Sequence, residues 1–146
     1  MSTDHSEISF GAPLLTSRFP VRWGEMDAMG HVNNAAYLRY FEESRILWSE
    51  SMGMRLDGIG EGMILLKASV TYLKQVSYPA NIEVGLFAGQ IGRTSFHLLN
   101  TLTVEGDSEP ATNGDFIIVW FDYESNKPMP IPASLKTVLE GKGTAR

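Results

Sequence analysis

Residues 34–51, NAAYLRYFEESRILWSES, constrain the chain most, because they form its one long stretch of helical periodicity. Tyr37, Phe41, Ser44 and Trp48 fall at 4-3-4 spacing, with Leu38 and Ile46 widening the apolar stripe. The preceding loop ends in helix-capping asparagines, and Gly53 supplies a stop. Everything else long enough to be regular alternates like a strand. Phe19, Val21 and Trp23 alternate with Arg18, Pro20 and Arg22, giving a short strand over 16–23. Pro20 has no N–H for a ladder, which puts this strand at an edge or makes Pro20 a strand end. Ile64, Leu66, Ala68, Val70 and Tyr72 alternate along a second strand, and Ser77–Ala80 turns the chain. Ile82, Val84 and Leu86 form a third. Phe96, Leu98, Leu102 and Val104 share a face of a fourth, with Asn100 its one polar member. Phe116–Phe121 is a continuous apolar run, as in a strand buried on both faces. A Pro-rich segment then leads to a short helix from about Ala133.

This order gives an α+β chain: a loose tail over 1–15, then one domain over 16–146. Short turns imply an antiparallel meander, with the long helix laying Tyr37, Phe41 and Trp48 on the sheet. One helix cannot cover both faces and both edges, so a second copy is expected to pair with the first, as a homodimer or homotetramer. At 146 residues the chain suits a single domain. With 12 basic against 17 acidic residues the net charge is −5, and no basic run is present, so nucleic acid is not an expected partner. No cysteine occurs, which removes disulfides, thiolate nucleophiles and cysteine metal sites. His5, His31 and His97 lack metal-ligand spacing, and no metal or other cofactor is expected. Neither a signal peptide nor a membrane-spanning run is legible, so a cytoplasmic protein with no membrane partner is expected.

The loop GEMDAMGHVNN carries the chemistry of greatest interest. It sets Asp27 a few residues before a helix start, where unpaired N–H groups can hold an anion or a developing oxyanion. A carboxylate there can attack a carbonyl, activate water, or only cap the helix. Gly30 lets the backbone turn tightly. WGEMDAMGHVNNAAYLRYFEESR resembles the N-terminal motif of the 4-hydroxybenzoyl-CoA thioesterase-like branch of the hotdog-fold acyl-CoA thioesterases. Glu25, Asp27 and Gly30 match its acidic spacing, while Tyr37, Tyr40, Phe41, Glu43 and Arg45 match its helix. VTYLKQVSYPANIEV, IGRTSF and VWFDYESNKPMPIP look like later segments, so the likeness covers about residues 16–140.

The resemblance implies a hotdog fold, an antiparallel sheet wrapped around one long helix. It implies hydrolysis of an acyl-CoA or related thioester to free acid and thiol. Asp27 would be nucleophile or general base, and a backbone N–H at Asn34 or its neighbour would polarise the carbonyl. Some members carry a histidine where this chain has Asn34. Here His31 lies three residues earlier and either meets the ligand or Asp27, or packs in the loop or caps the helix. Trp23 either walls the acyl pocket or ends a core strand, and Tyr37 is a candidate for the pocket. Arg93, Thr94 and Ser95 can offer a guanidinium and hydroxyls to CoA, or form a solvated turn. Lys67 and Lys74 are weaker phosphate contacts. Arg39 with Glu43, and Glu42 with Arg45, have the spacing of surface or interface ion pairs, a simpler account of the two glutamates than the catalytic helix Glu of a different hotdog branch. Two rivals stand beside hydrolysis: a non-catalytic hotdog module that binds acyl-CoA or acyl-carrier-protein ligands, and a dehydratase, whose His–acid pairing is not found here.

Overall fold

The computed structural model describes residues 10–141. Most of the expected N-terminal tail, His5 included, lies outside the described residues. Strand β1 (Leu15–Pro20) is followed by helix α1 (Asn34–Ser51) and strands β2 (Glu61–Tyr72), β3 (Asn81–Ile91), β4 (Ser95–Val104) and β5 (Thr112–Asp122). A two-residue strand, β6 (Lys127–Pro128), and helix α2 (Ala133–Leu139) complete the order. Both helices start where the residue pattern places them. The asparagine signal acts through Asn33, whose Oδ1 accepts from the Ala35 N–H at 2.9 Å. Beyond Ser51 the backbone turns at Gly53, φ +70°, as the stop requires.

The sheet is antiparallel throughout, in the order β1-β3-β4-β5-β2, with β6 on β5. Only β3-β4-β5 is a meander. Strand β2 pairs with β5 instead of β3, which corrects the expected simple meander. The link over 73–80 makes this possible. Eight residues reach about 26 Å when extended, against about 14 Å for three strand spacings. The link is tied down midway, where Val32 N–H donates to the Val76 carbonyl at 2.8 Å.

Helix α1 lies across the sheet and reaches three strands through its rings. Tyr40 meets Phe19 on β1, Phe41 meets Phe116 on β5, and Tyr37 meets Tyr72 on β2. The expected stripe of Tyr37, Phe41, Ser44 and Trp48 is buried, but Leu38 and Ile46 are exposed. Tyr40 and Arg45 are buried in their place. From the sheet, Phe96, Leu98, Leu102, Phe116 and Ile118 fill the core. Asn100 fits among them because its Nδ2 donates to the Gly85 carbonyl at 3.0 Å. Gly114 is required by close packing: a Cβ there would stand 2.5 Å from Phe116.

Two strands differ from their sequence patterns. The pairing of β2 with β5 slips between Leu65 and Lys67, so Leu66 is an extra, bulged residue. The bulge puts Met63 and Leu65 on the helix side with Ala68, Val70 and Tyr72, so the expected alternation from Ile64 does not run through. Strand β5 is paired on both edges but buried on one face only. Phe116, Ile118 and Trp120 are buried, while Ile117, Val119 and Phe121 are half-buried, because no layer among the described residues covers them on that side. His97 lies on the same outer face, 2.7 Å from Asp115.

Candidate active site

Strand β1 ends at Pro20, before Trp23, and Trp23 begins a short 3-10 turn over Trp23–Glu25. At 75% exposure Trp23 is neither a strand end nor a core residue. The chain is then anchored by Glu25. Its carboxylate accepts from the Arg22 N–H at 3.0 Å and from the Tyr40 hydroxyl of α1. Its carbonyl accepts from the Asn33 N–H at 2.8 Å. Burial, and then the neighbouring Glu25, raise the Tyr40 pKa far above its ordinary value. The loop is thus fastened to the helix on both sides of Asp27.

Between those anchors the chain makes one tight turn. Asp27 N–H donates to the His31 carbonyl at 2.7 Å, and Gly30 N–H donates to the Asp27 carbonyl at 3.1 Å. Gly30 has φ +79°, the left-handed region that other residues enter at a cost. Asp27 Oδ1 accepts from the N–H groups of Met29 and His31, at 2.9 and 3.1 Å. Its Oδ2 takes no hydrogen bond among the described residues. The capping alternative therefore has a definite outcome: Asn33 caps α1, and Asp27 holds its own turn with one oxygen while the other is left over.

A cleft of about 420 Å³ opens here, lined by Asp27, Met29, His31, Val32, Asn34, Tyr37 and the segment Tyr72–Gln75. Asn34 stands in the first turn of α1, where a backbone N–H has no intrahelical partner. Its carbonyl accepts from the Tyr72 hydroxyl at 2.8 Å, which ties β2 to the helix start. Burial raises the pKa values of Tyr37 and Tyr72, so both walls are neutral phenols at physiological pH. Lys74 also lines the cleft, paired with Asp107 at 2.6 Å.

Asp27, His31, Asn34 and Tyr37 are therefore brought together, with Gly30 shaping their turn. Arg93, Thr94 and Ser95 are not. They lie at the far end of the sheet, where the Arg93 carbonyl accepts from Ile131 N–H and the Thr94 carbonyl from Trp120 N–H. The length of β4 alone, about 30 Å, separates them from the Asp27 end within one chain. The expected helix ion pairs are also absent among the described residues: neither Arg39–Glu43 nor Glu42–Arg45 forms. The Tyr72–Gln75 wall of the cleft was missed apart from Lys74, since only β2 running back toward the start of α1 brings it there.

With this geometry in view, the class is clear: residues 21–139 match the model of the thioesterase-like superfamily, and the chain belongs to it. Its fold is the hotdog fold, an antiparallel sheet around one long helix. Among particular relatives, it is similar to PA2801 of Pseudomonas aeruginosa, a candidate thioesterase. The two are 39% identical with a TM-score of 0.83, over 88% of this chain and 99% of that one. It shares 25% identity with the chloroplastic acyl-acyl carrier protein thioesterase ATL3 of Arabidopsis thaliana, over 80% of this chain and 63% of that protein. The fold also matches SAV2348 of Staphylococcus aureus, solved in complex with CoA. That match has 21% identity and a TM-score of 0.80, over 94% of this chain and 87% of the other.

Proposed function

We propose that the protein hydrolyses an acyl-CoA thioester to a free acid and CoA at the Asp27 cleft. The observation that carries this is the state of Asp27. Its Oδ1 is fixed by two backbone N–H groups, and its Oδ2 is unclaimed beside the first turn of α1. A thioester carbonyl set against the Asn34 N–H would gain a donor where negative charge develops. Asp27 would then take a proton from water as that water attacks the carbonyl carbon. Alternatively, it would attack directly and form an anhydride that water opens. Either way the carbon–sulfur bond breaks and the thiolate leaves to be protonated as CoA.

A homodimer suits this reading. Alone, the cleft is too small and too open to enclose an acylated pantetheine arm, and the β2 edge beside it is uncovered. A partner would also bring its own far-end residues, Arg93 among them, toward the site. The kinship with ATL3 favours an acyl-carrier-protein thioester as the second reading of the substrate. The CoA complex of SAV2348 supports the first.

Incubation with a panel of acyl-CoAs, following thiol release, tests the proposal. The Asp27→Asn variant is expected to lose about 10²–10⁴-fold in kcat. Equal release from the variant would remove Asp27 from the mechanism, and no release from any substrate would leave a binding module.

A further inference from the structure

Arg45 is a buried cation with no ion pair among the described residues, and only the charge of Glu42 acts on it, from a distance. Its residue is 7% exposed, and its guanidinium carbon lies 4.5 Å from the centre of the Phe116 ring. Its Nη1 is buried and has no hydrogen-bond partner among the described residues. Glu42, one turn earlier on α1, is exposed and forms no ion pair with it. A ring face offsets only part of the desolvation of a guanidinium, and buried charges in native proteins are paired. Arg45 can therefore take a negative group closer than any among the described residues.

The opening beside it shows where that group would enter. Arg45 lines a cleft of about 370 Å³ with Glu42, Ile46, Met63, Leu65 and Ile118 among its neighbours. This cleft and the Asp27 cleft are separate openings at the two ends of the seam along which α1 faces β2. Tyr72 meets Asn34 and Tyr37 at one end of the seam, and Leu65 faces the Arg45–Ile46 turn at the other. From Asn34 to Arg45 the helix rises about 16 Å. Along that path Leu38, Ile46 and Leu65 expose apolar surface that nothing among the described residues covers.

We propose that the α1–β2 seam is the acyl channel and that Arg45 binds a carboxylate at the far end of the acyl chain. The preferred ligands are then CoA thioesters of medium-length dicarboxylic acids. The apolar walls take the methylenes, and Arg45 exchanges the water a free carboxylate would hold for a charge-assisted pair. The near end of the channel rests on the thioester reading of the Asp27 cleft, but binding at Arg45 needs no turnover.

Calorimetry with non-hydrolysable thioether analogues of decanoyl-CoA and decanedioyl-CoA tests this independently of catalysis. The dicarboxylic analogue is expected to bind at least tenfold more tightly. Arg45→Met abolishes that preference, and Arg45→Lys keeps part of it. Should Arg45→Met not fold, Leu65→Glu sets a negative charge in the cleft without touching Arg45, and is expected to reverse the preference. Equal affinities for the two analogues, no binding of either, or a preference that survives Arg45→Met would overturn the proposal. A wild type with no preference, whose self-association is lost in Arg45→Met, would assign the arginine to an acidic residue of a second copy instead. Thiol release from the two true thioesters is measured in parallel. No release with the preference intact sinks the hydrolase reading alone, and release without preference sinks only the Arg45 site.

Discussion

At the scale of single residues, the Asp27 turn leaves one carboxylate oxygen bonded and the other unclaimed among the described residues. One carboxylate oxygen is spent on two backbone N–H groups, which sets the direction of the other. That arrangement depends on Gly30, whose φ of +79° closes the turn between Asp27 and His31. A Cβ at Gly30 would meet nothing within 4 Å, so the cost of replacing it is conformational and not steric. Gly30→Ala is expected to destabilise the protein by about 1–2 kcal/mol, the strain of a left-handed alanine. Urea unfolding measures this, and an unchanged midpoint would show the turn to be more adaptable than its bonds suggest. The same residues mark what the sequence discloses. Asp27, Gly30 and Asn34 are legible because loop chemistry and family likeness both point at them. Trp23 misleads because a run of alternating residues does not reveal that the strand stops at Pro20 and a 3-10 turn begins.

At the scale of elements, α1 and the Asp27 loop act as one unit through Glu25 and Tyr40. Burial, and then the Glu25 carboxylate, hold the Tyr40 phenol in its neutral form. The sign of the pH effect follows. In the unfolded chain tyrosine ionises near pH 10, about its ordinary value, whereas the folded Tyr40 stays protonated well above that. The stabilisation is complete below about pH 10 and is lost as pH rises toward the folded value. Tyr40→Phe is expected to cost about 1.5–3 kcal/mol at neutral pH, the worth of a bond to a charged acceptor, and to flatten the alkaline fall. Thermal melts of both proteins across the alkaline range check this; parallel curves would show that Tyr40 is not the titrating group. Helix α1 itself is legible to the residue, since its caps and periodicity are local. The side of the helix that Arg45 takes is not. Its spacing from Glu42 suits a surface pair, yet the guanidinium turns inward onto Phe116, a residue more than seventy positions away. The bulge at Leu66 is equally silent, because nothing local distinguishes a slipped register from a regular one.

At the scale of the whole molecule, strand order is what sequence patterning could not supply. Turn lengths favour neighbours, whereas β2 is set at the far edge by the 73–80 link, anchored through the buried Val76, and by its pairing with β5. The consequence is two unlike edges. Strand β1 is short, ends in Pro20 and carries the exposed Arg18–Glu83 pair, features that discourage further pairing. Strand β2 runs for twelve residues, Glu61–Tyr72, and exposes Ile64, Leu65 and Leu66. A long apolar edge of this kind is a template for another strand, and an antiparallel match of β2 with its own copy would satisfy it by two-fold symmetry. Ile64→Glu with Leu66→Glu should therefore split such a dimer. Because both side chains are exposed in the single chain, the protomer is expected to keep its fold, with a stability change within about 0.5 kcal/mol for each site. Sedimentation velocity would report a shift from dimer to monomer, and circular dichroism an unchanged spectrum. If thioester hydrolysis disappears together with the dimer while the Asp27 turn remains folded, the channel is completed by the partner. A variant that stays dimeric would place the interface on the half-buried outer face of β4 and β5, around His97, Ile117 and Val119.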